Sequence, residues 1–114
     1  EVNPYLRIIE PEISVIGRKV VAKFKLEQVT SNEVYRISLF AHSHIDVSNK
    51  LNIVNRTEEL NRSITDGEAF ELSINLEDYT STLVPGKSYY FRIGAQSHGS
   101  ETKYNYSASV QLDI

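Results

Sequence analysis

The stretch Leu83–Ala95, LVPGKSYYFRIGA, most constrains what this chain can become. Pro85 fixes its own φ and Gly86 accepts a positive one, so the pair makes a turn. Beyond it, Tyr89, Phe91, Ile93 and Ala95 alternate with Tyr90, Arg92 and Gln96. A period of two with one apolar face marks a strand buried on one side. Tyr89 stands at the start of that strand, just after a crossing loop. There a phenol can reach back to the upstream backbone and form a tyrosine corner. The prediction is a central strand in a sandwich of two sheets.

The rest of the chain is compatible with that layer. Ile13–Lys25 reads as a hairpin whose two-residue loop is Gly17-Arg18, glycine first as in a type II′ turn. Ile16 then faces Lys19, Val15 faces Val20 and Ile13 faces Ala22, which puts Ile13 and Val15 on the face of Val20, Ala22, Phe24 and Leu26. Val34–His42 is the next strand, with Tyr35, Ile37, Leu39 and Ala41 as its inward set. A weaker strand is expected around Leu51–Val54, and the charged run Arg56–Arg62 as a loop or one helical turn. Ile64–Leu76 suggests a second hairpin around Thr65-Asp66-Gly67. A three-residue loop with Gly67 left-handed places Ile64 opposite Glu68 and on the side of Phe70. Glu77–Val84 crosses over, and Tyr104–Ile114 closes the chain with Ala108, Val110, Leu112 and Ile114 inward. The sum is an all-β, seven-stranded antiparallel sandwich of the immunoglobulin kind. Residues 1–12, with Pro4 and Pro11, read as an edge strand or an incoming tether, and residues 13–114 as a single β-sandwich domain.

Composition enters as a set of exclusions. At 114 residues, the chain is long enough for one core and too short for two domains. A pI of 5.6 with scattered Lys and Arg excludes a nucleic-acid surface. No apolar run approaches the ~18 residues of a membrane span. Cysteine is absent, which removes disulfides and thiolate metal sites without fixing the compartment. Methionine is absent even at position 1, so the chain is expected to be a piece of something longer.

The run LVPGKSYYFRIGAQSHG resembles a fibronectin type III strand pair, with Leu83, Pro85, Gly86, Tyr89, Phe91, Ile93, Ala95 and Gly99 in the matching places. Phe24 stands where that family usually carries a core tryptophan. A narrower likeness covers nearly the whole chain. The opening EVNPYLRI, the hairpin ISVIGRKVVAKFKL, the TDG turn and the closing YNYS are similar to the C-terminal domain of a Bacteroidetes surface lipoprotein family of unassigned function. Members of that family resemble accessory proteins of glycan-uptake systems, with an N-terminal β-sandwich ahead of this domain. The resemblance implies an outer-membrane or cell-surface location. The implied partners are the preceding domain of the same chain and other surface glycan-uptake proteins or polysaccharide. It brings no site residues with it.

No catalytic signature is present. Ser is frequent without a G-x-S-x-G elbow, and the glycines are too isolated to cradle phosphate. The carboxylate pairs Glu58/Glu59 and Glu77/Asp78 are sequence neighbours, which a strand points to opposite faces. Glu10 and Glu12 flank Pro11 at an edge. His42, His44 and Asp46 have a spacing that suits a metal site, with His98 as a tempting fourth. If the strand Val34–His42 runs antiparallel to Tyr89–Gln96, however, His98 falls at the far end of the sheet. The expectation is no metal, no cofactor and no enzyme. What remains is tyrosine, seven in all and no tryptophan. Tyr90 points outward from the central strand, while Tyr104 and Tyr106 flank the polar loop that holds His98. Such rings beside Asn, Gln and His can stack on a sugar face and bond its hydroxyls. The leading expectation is a non-enzymatic module that spaces or docks a neighbouring domain, its polar loops Gln28–Glu33 and Ser97–Lys103 as contact surfaces. The alternative is a carbohydrate-binding module using Tyr90, Tyr104, Tyr106 and His98. Three N-x-[ST] matches, at Asn55, Asn61 and Asn105, are the frequency expected by chance in an Asn- and Ser-rich chain.

Overall fold

A computed structural model describes residues 6–28, 33–48, 51–65, 67–97 and 105–114. They form eight strands: β1 (Leu6–Ile16), β2 (Lys19–Gln28), β3 (Val34–His42), β4 (Val54–Arg62), β5 (Glu68–Asn75), β6 (Ser88–Ser97), β7 (Asn105–Tyr106) and β8 (Val110–Asp113). A 3₁₀ turn, Leu76–Tyr79, precedes β6. Sheet one has the order β1-β2-β5; sheet two has β4-β3-β6-β7, with β8 also on β6. All pairings are antiparallel.

The first hairpin forms in the predicted register: Ile16↔Lys19, Val15↔Val20 and Ile13↔Ala22. Gly17 sits at φ 61° while Arg18 does not have a positive φ, the type II′ signature. β1 continues back to Leu6, so residues 6–12 pair with β2 as an edge strand. A bulge lies between Ile9 and Glu12, where Glu10 takes φ 52° and Pro11 has no N–H to give the ladder.

The core lies between the sheets. Phe24, Leu26, Leu72 and Ile74 from sheet one meet Ile37, Leu39, Phe91 and Ile93 from sheet two. Each such side chain contributes about 1.5–3 kcal/mol by leaving water. The tyrosine corner is present: Val84 N donates to Tyr89 Oη at 2.9 Å, while the Tyr89 ring is buried in the core.

Four expectations are corrected, each by a feature that period two does not contain. On β3, the inward residue at the start is Val34, fully buried, while Tyr35 is only half-buried; Ile37, Leu39 and Ala41 are inward as expected. A bulge between Val34 and Arg36 shifts the alternation by one residue. Arg56–Arg62 is neither loop nor helical turn but the body of β4, and the strand starts only at Val54, leaving Leu51 and Ile53 exposed in the connection. As an edge strand, β4 buries little, so charged residues are tolerated along it. At the predicted Thr65-Asp66-Gly67 turn, Glu68 N donates to Thr65 O at 2.9 Å and Gly67 stands at φ 80°, while Asp66 lies outside the described residues. The turn does not close a hairpin, because β5 pairs with β2 in the other sheet. The last strand is broken at 107–109, giving eight strands rather than seven. Ala108 is therefore exposed and Ser107 is buried instead.

The two poles of the 43 × 23 × 21 Å slab are distinct. One carries the Gly17-Arg18 turn, the β3–β4 connection and the 3₁₀ turn, whose Leu76 N donates to Arg18 O. Ile114 also sits there, exchanging backbone hydrogen bonds with Gly86 and Lys87. The other pole carries the start of β1 and the Thr65–Gly67 turn.

Candidate functional site

The outer face of sheet two holds the two expected contact residues that lie among the described ones, Tyr90 and Tyr106. Residues of β6 alternate, so Tyr90 and Arg92 face away from the core that Phe91 and Ile93 occupy. Register then sets their neighbours. Tyr90 pairs with His42 on β3 and Gln111 on β8, making one row of imidazole, phenol and amide across three strands. Side chains in such a row stand about 4.5–5.5 Å apart at Cβ. His42 and Tyr90 are half-buried, and Gln111 is exposed. Among the described residues, Tyr90 makes no hydrogen bond or ring contact. His42 Nδ1 accepts from His44 N at 3.0 Å, so the neutral ring carries its proton on Nε2 as a free donor.

The adjoining row is closed. Phe40 and Val47 are buried but belong to no part of the main core. Arg92 lies over the Tyr106 ring at 4.7 Å, donates from Nε to Ser107 O at 2.7 Å and from Nη1 to Val47 O at 3.4 Å. Tyr106 also packs at 6.2 Å against Phe40. The β3–β4 connection is thus held down on the sheet by one guanidinium, and Tyr106 is a structural ring rather than a free one. Ser107, in the gap between β7 and β8, repairs the broken ladder: its Oγ accepts from Ile93 N at 3.1 Å.

Tyr90 and Tyr106 therefore share this face in different roles, one open and one packed. Tyr104 and His98 lie outside the described residues, as do 29–32 of the first predicted contact loop and 98–103 of the second. The antiparallel β3–β6 pairing holds as expected. His44 N and Asp46 N donate to the imidazoles two residues earlier, and His44 Nδ1 approaches Asp46 Oδ2 at 3.7 Å. No group of three or more metal-ligating side chains converges among the described residues.

The carboxylate pairs do not converge either. Glu10 pairs with Lys25 at 3.2 Å, and Glu12 stands opposite Lys23. Glu58 and Glu59 stand opposite Ile37 and Arg36, on different faces of β4. The displaced ionisations are at the other pole. Glu68 is held below the usual carboxylate range by the side-chain hydrogen bond from Arg62 and then by Thr65 N, and Arg62 is raised in return. That pair straddles the connection from β4 to β5, which joins the two sheets.

Sequence reasoning missed Gln111, Arg92 and Tyr79. Gln111 and Arg92 are placed by strand pairing alone. Tyr79, 37% exposed, lies in the 3₁₀ turn beside a cleft at the end of β5. Its only signal was an aromatic residue among the acids of a crossing segment.

These features define a two-sheet antiparallel β-sandwich. The chain belongs to the DUF3823_C family, a domain of unknown function, whose model matches residues 6–111. No curated protein matches it. Among solved structures, it is similar to a Bacteroides uniformis ATCC 8492 protein named a "putative carbohydrate binding protein", with 28% identity and TM-score 0.88 over 97% of this chain and 58% of that one. A DUF3823 family protein from Parabacteroides merdae ATCC 43184 is 22% identical, with TM-score 0.79 over 96% of this chain and 53% of that one. A DUF3823 family protein from Bacteroides ovatus ATCC 8483 is 18% identical, with TM-score 0.78 over 96% and 55%. The chain spans little more than half the length of each.

Proposed function

We propose that this domain is a non-enzymatic module of a bacterial cell-surface lipoprotein that spaces or docks the domain preceding it, within a glycan-utilisation system. The observation that carries the reading is the placement of the chain's path. β1 begins at one pole of the sandwich and Ile114 is hydrogen-bonded at the other, so the described chain runs in at one end and out at the opposite one. The sandwich is of the fibronectin type III kind. Taking β7 and β8 as one interrupted strand reduces the order to three strands facing four. The lipoprotein assignment predicts that the full-length protein takes up palmitate label in its native host and is shaved by protease on intact cells. A protein without acyl label, or one protected in intact cells, overturns it.

A second reading has an observation of its own. The open row His42–Tyr90–Gln111 offers a donor, a ring and an amide on a flat face, which fits a sugar's hydroxyls and its apolar side. The Bacteroides uniformis neighbour's name points the same way. A glycan array probed with this domain and with Tyr90→Ala tests it: saturable binding lost in the variant supports direct contact, and binding that survives in the variant refutes it.

A further inference from the structure

We propose that the cleft at the end of β5 is a binding site for an acidic sugar residue, one carrying a carboxylate or sulfate. This rests on the glycan reading above but on different residues. The cleft has a volume of about 330 Å³ and is bounded by Lys19 of β2, Ser73 and Asn75 of β5, Asp78 and Tyr79 of the 3₁₀ turn, and Arg56 of β4. That is the lower range of small-molecule sites, about 300–1,000 Å³.

Four elements from both sheets meet there. Arg56 pairs with Leu39, so it shares the parity of a core residue. Val54, two residues earlier, fills the core from that face, whereas Arg56 is exposed and lines the cleft at the end of β5. An inward charge also keeps an edge strand from pairing with another chain, a task Glu58 performs equally from the next inward position. The cleft is what Arg56 adds.

Its chemistry selects the ligand. Neither Lys19 nor Arg56 has an ion-pair partner among the described residues, and Asp78 is the one acid on the cleft wall. Two cations against one acid favour an anion, and a guanidinium binds carboxylate or sulfate oxygens in a bidentate fork. Asn75 Oδ1 is spent on Glu77 N at 3.1 Å, which leaves its amide hydrogens to donate. Ser73 and Asp78 supply acceptors for hydroxyls. The Tyr79 ring offers an apolar face. Its backbone is set, since Tyr79 O accepts from Thr82 N at 3.0 Å and Leu83 N at 2.7 Å. An acidic peptide is the weaker fit: it would add as a strand to β4 or β5, and inward charges guard that approach.

The test is calorimetric titration of the protein with an oligogalacturonide, a sulfated oligosaccharide, a neutral oligosaccharide of the same length and a polyglutamate peptide. Arg56→Gln, Tyr79→Ala and Tyr90→Ala are compared, each at an exposed or half-exposed position and checked for fold by circular dichroism. The expected result is saturable, salt-sensitive binding of at least one acidic oligosaccharide, weakened about tenfold by Arg56→Gln or Tyr79→Ala. Whichever acidic probe binds identifies carboxylate or sulfate as the charge. The inference falls if neither binds, if the neutral sugar or the peptide binds as tightly, or if both cleft variants bind like the parent. Sugar binding abolished by Tyr90→Ala alone would sink this site while leaving the outer-face reading intact.

Discussion

Tyr89→Phe removes one oxygen from a ring whose apolar body stays in the core. The parent Oη accepts from Val84 N at 2.9 Å, on the turn that leads into β6, and Tyr89 is only 6% exposed. In the variant, that N–H keeps its place but loses its acceptor. A buried donor left unsatisfied costs about 1–2 kcal/mol. With ~2.1 cal/mol/K per residue, the unfolding entropy of 114 residues is about 0.24 kcal/mol/K, so the midpoint should fall by about 4–8 °C. Tyr90→Phe is the internal control. It removes the same atom one residue later, from a phenol with no partner among the described residues, and should stay within about 0.5 kcal/mol of the parent. Thermal melts followed by far-ultraviolet circular dichroism read both. Equal shifts for the two variants, or no shift for Tyr89→Phe, would refute the claim that the phenol anchors the crossover.

Three further outcomes follow from single features. Gly17→Ala should cost about 1–2 kcal/mol in urea unfolding, wholly from backbone strain, since Gly17 lies at φ 61° and an added Cβ meets no atom within 4 Å. Arg92→Met removes the bonds to Ser107 O and Val47 O, and faster amide exchange at Val47 and Ile53 is the expected sign that the β3–β4 connection has lifted. Unchanged exchange there would mean the guanidinium does not hold it. Glu68 has a folded pKa below its ordinary value of 4.5, so its contribution is present above that value and is lost as pH falls through the lower folded one. Stability measured across the acid range should therefore fall more steeply for the parent than for Arg62→Gln, and parallel curves would contradict the pairing.

Local pattern carried the hairpin, the crossover and the central strand. Gly17 supplies a positive φ that few residues adopt, and from it the pairing Ile13↔Ala22 follows by counting. Tyr89 and its alternating successors are legible because β6 lies mid-sheet and buries one whole face. The candidate contact face was half legible: Tyr90 could be placed outward by parity, but its neighbours His42 and Gln111 come from strands far away in sequence. Tyr106, expected as a contact residue beside the polar loop, packs on the outer face under Arg92, a neighbour that comes from another strand.

What the amino-acid order determined by itself is therefore periodic and short in range: an all-β chain, its turns, and which side of a central strand is apolar. What only the tertiary structure decided is which sheet receives β4 and β5, where bulges at Glu10 and Val34 reset the alternation, and how Lys19, Arg56, Asn75 and Tyr79 come to share one cleft. The reason is physical. An edge strand buries too little to need a pattern, a bulge shifts parity by one residue with little compositional trace, and a cleft built from four elements exists only once the sheets have packed.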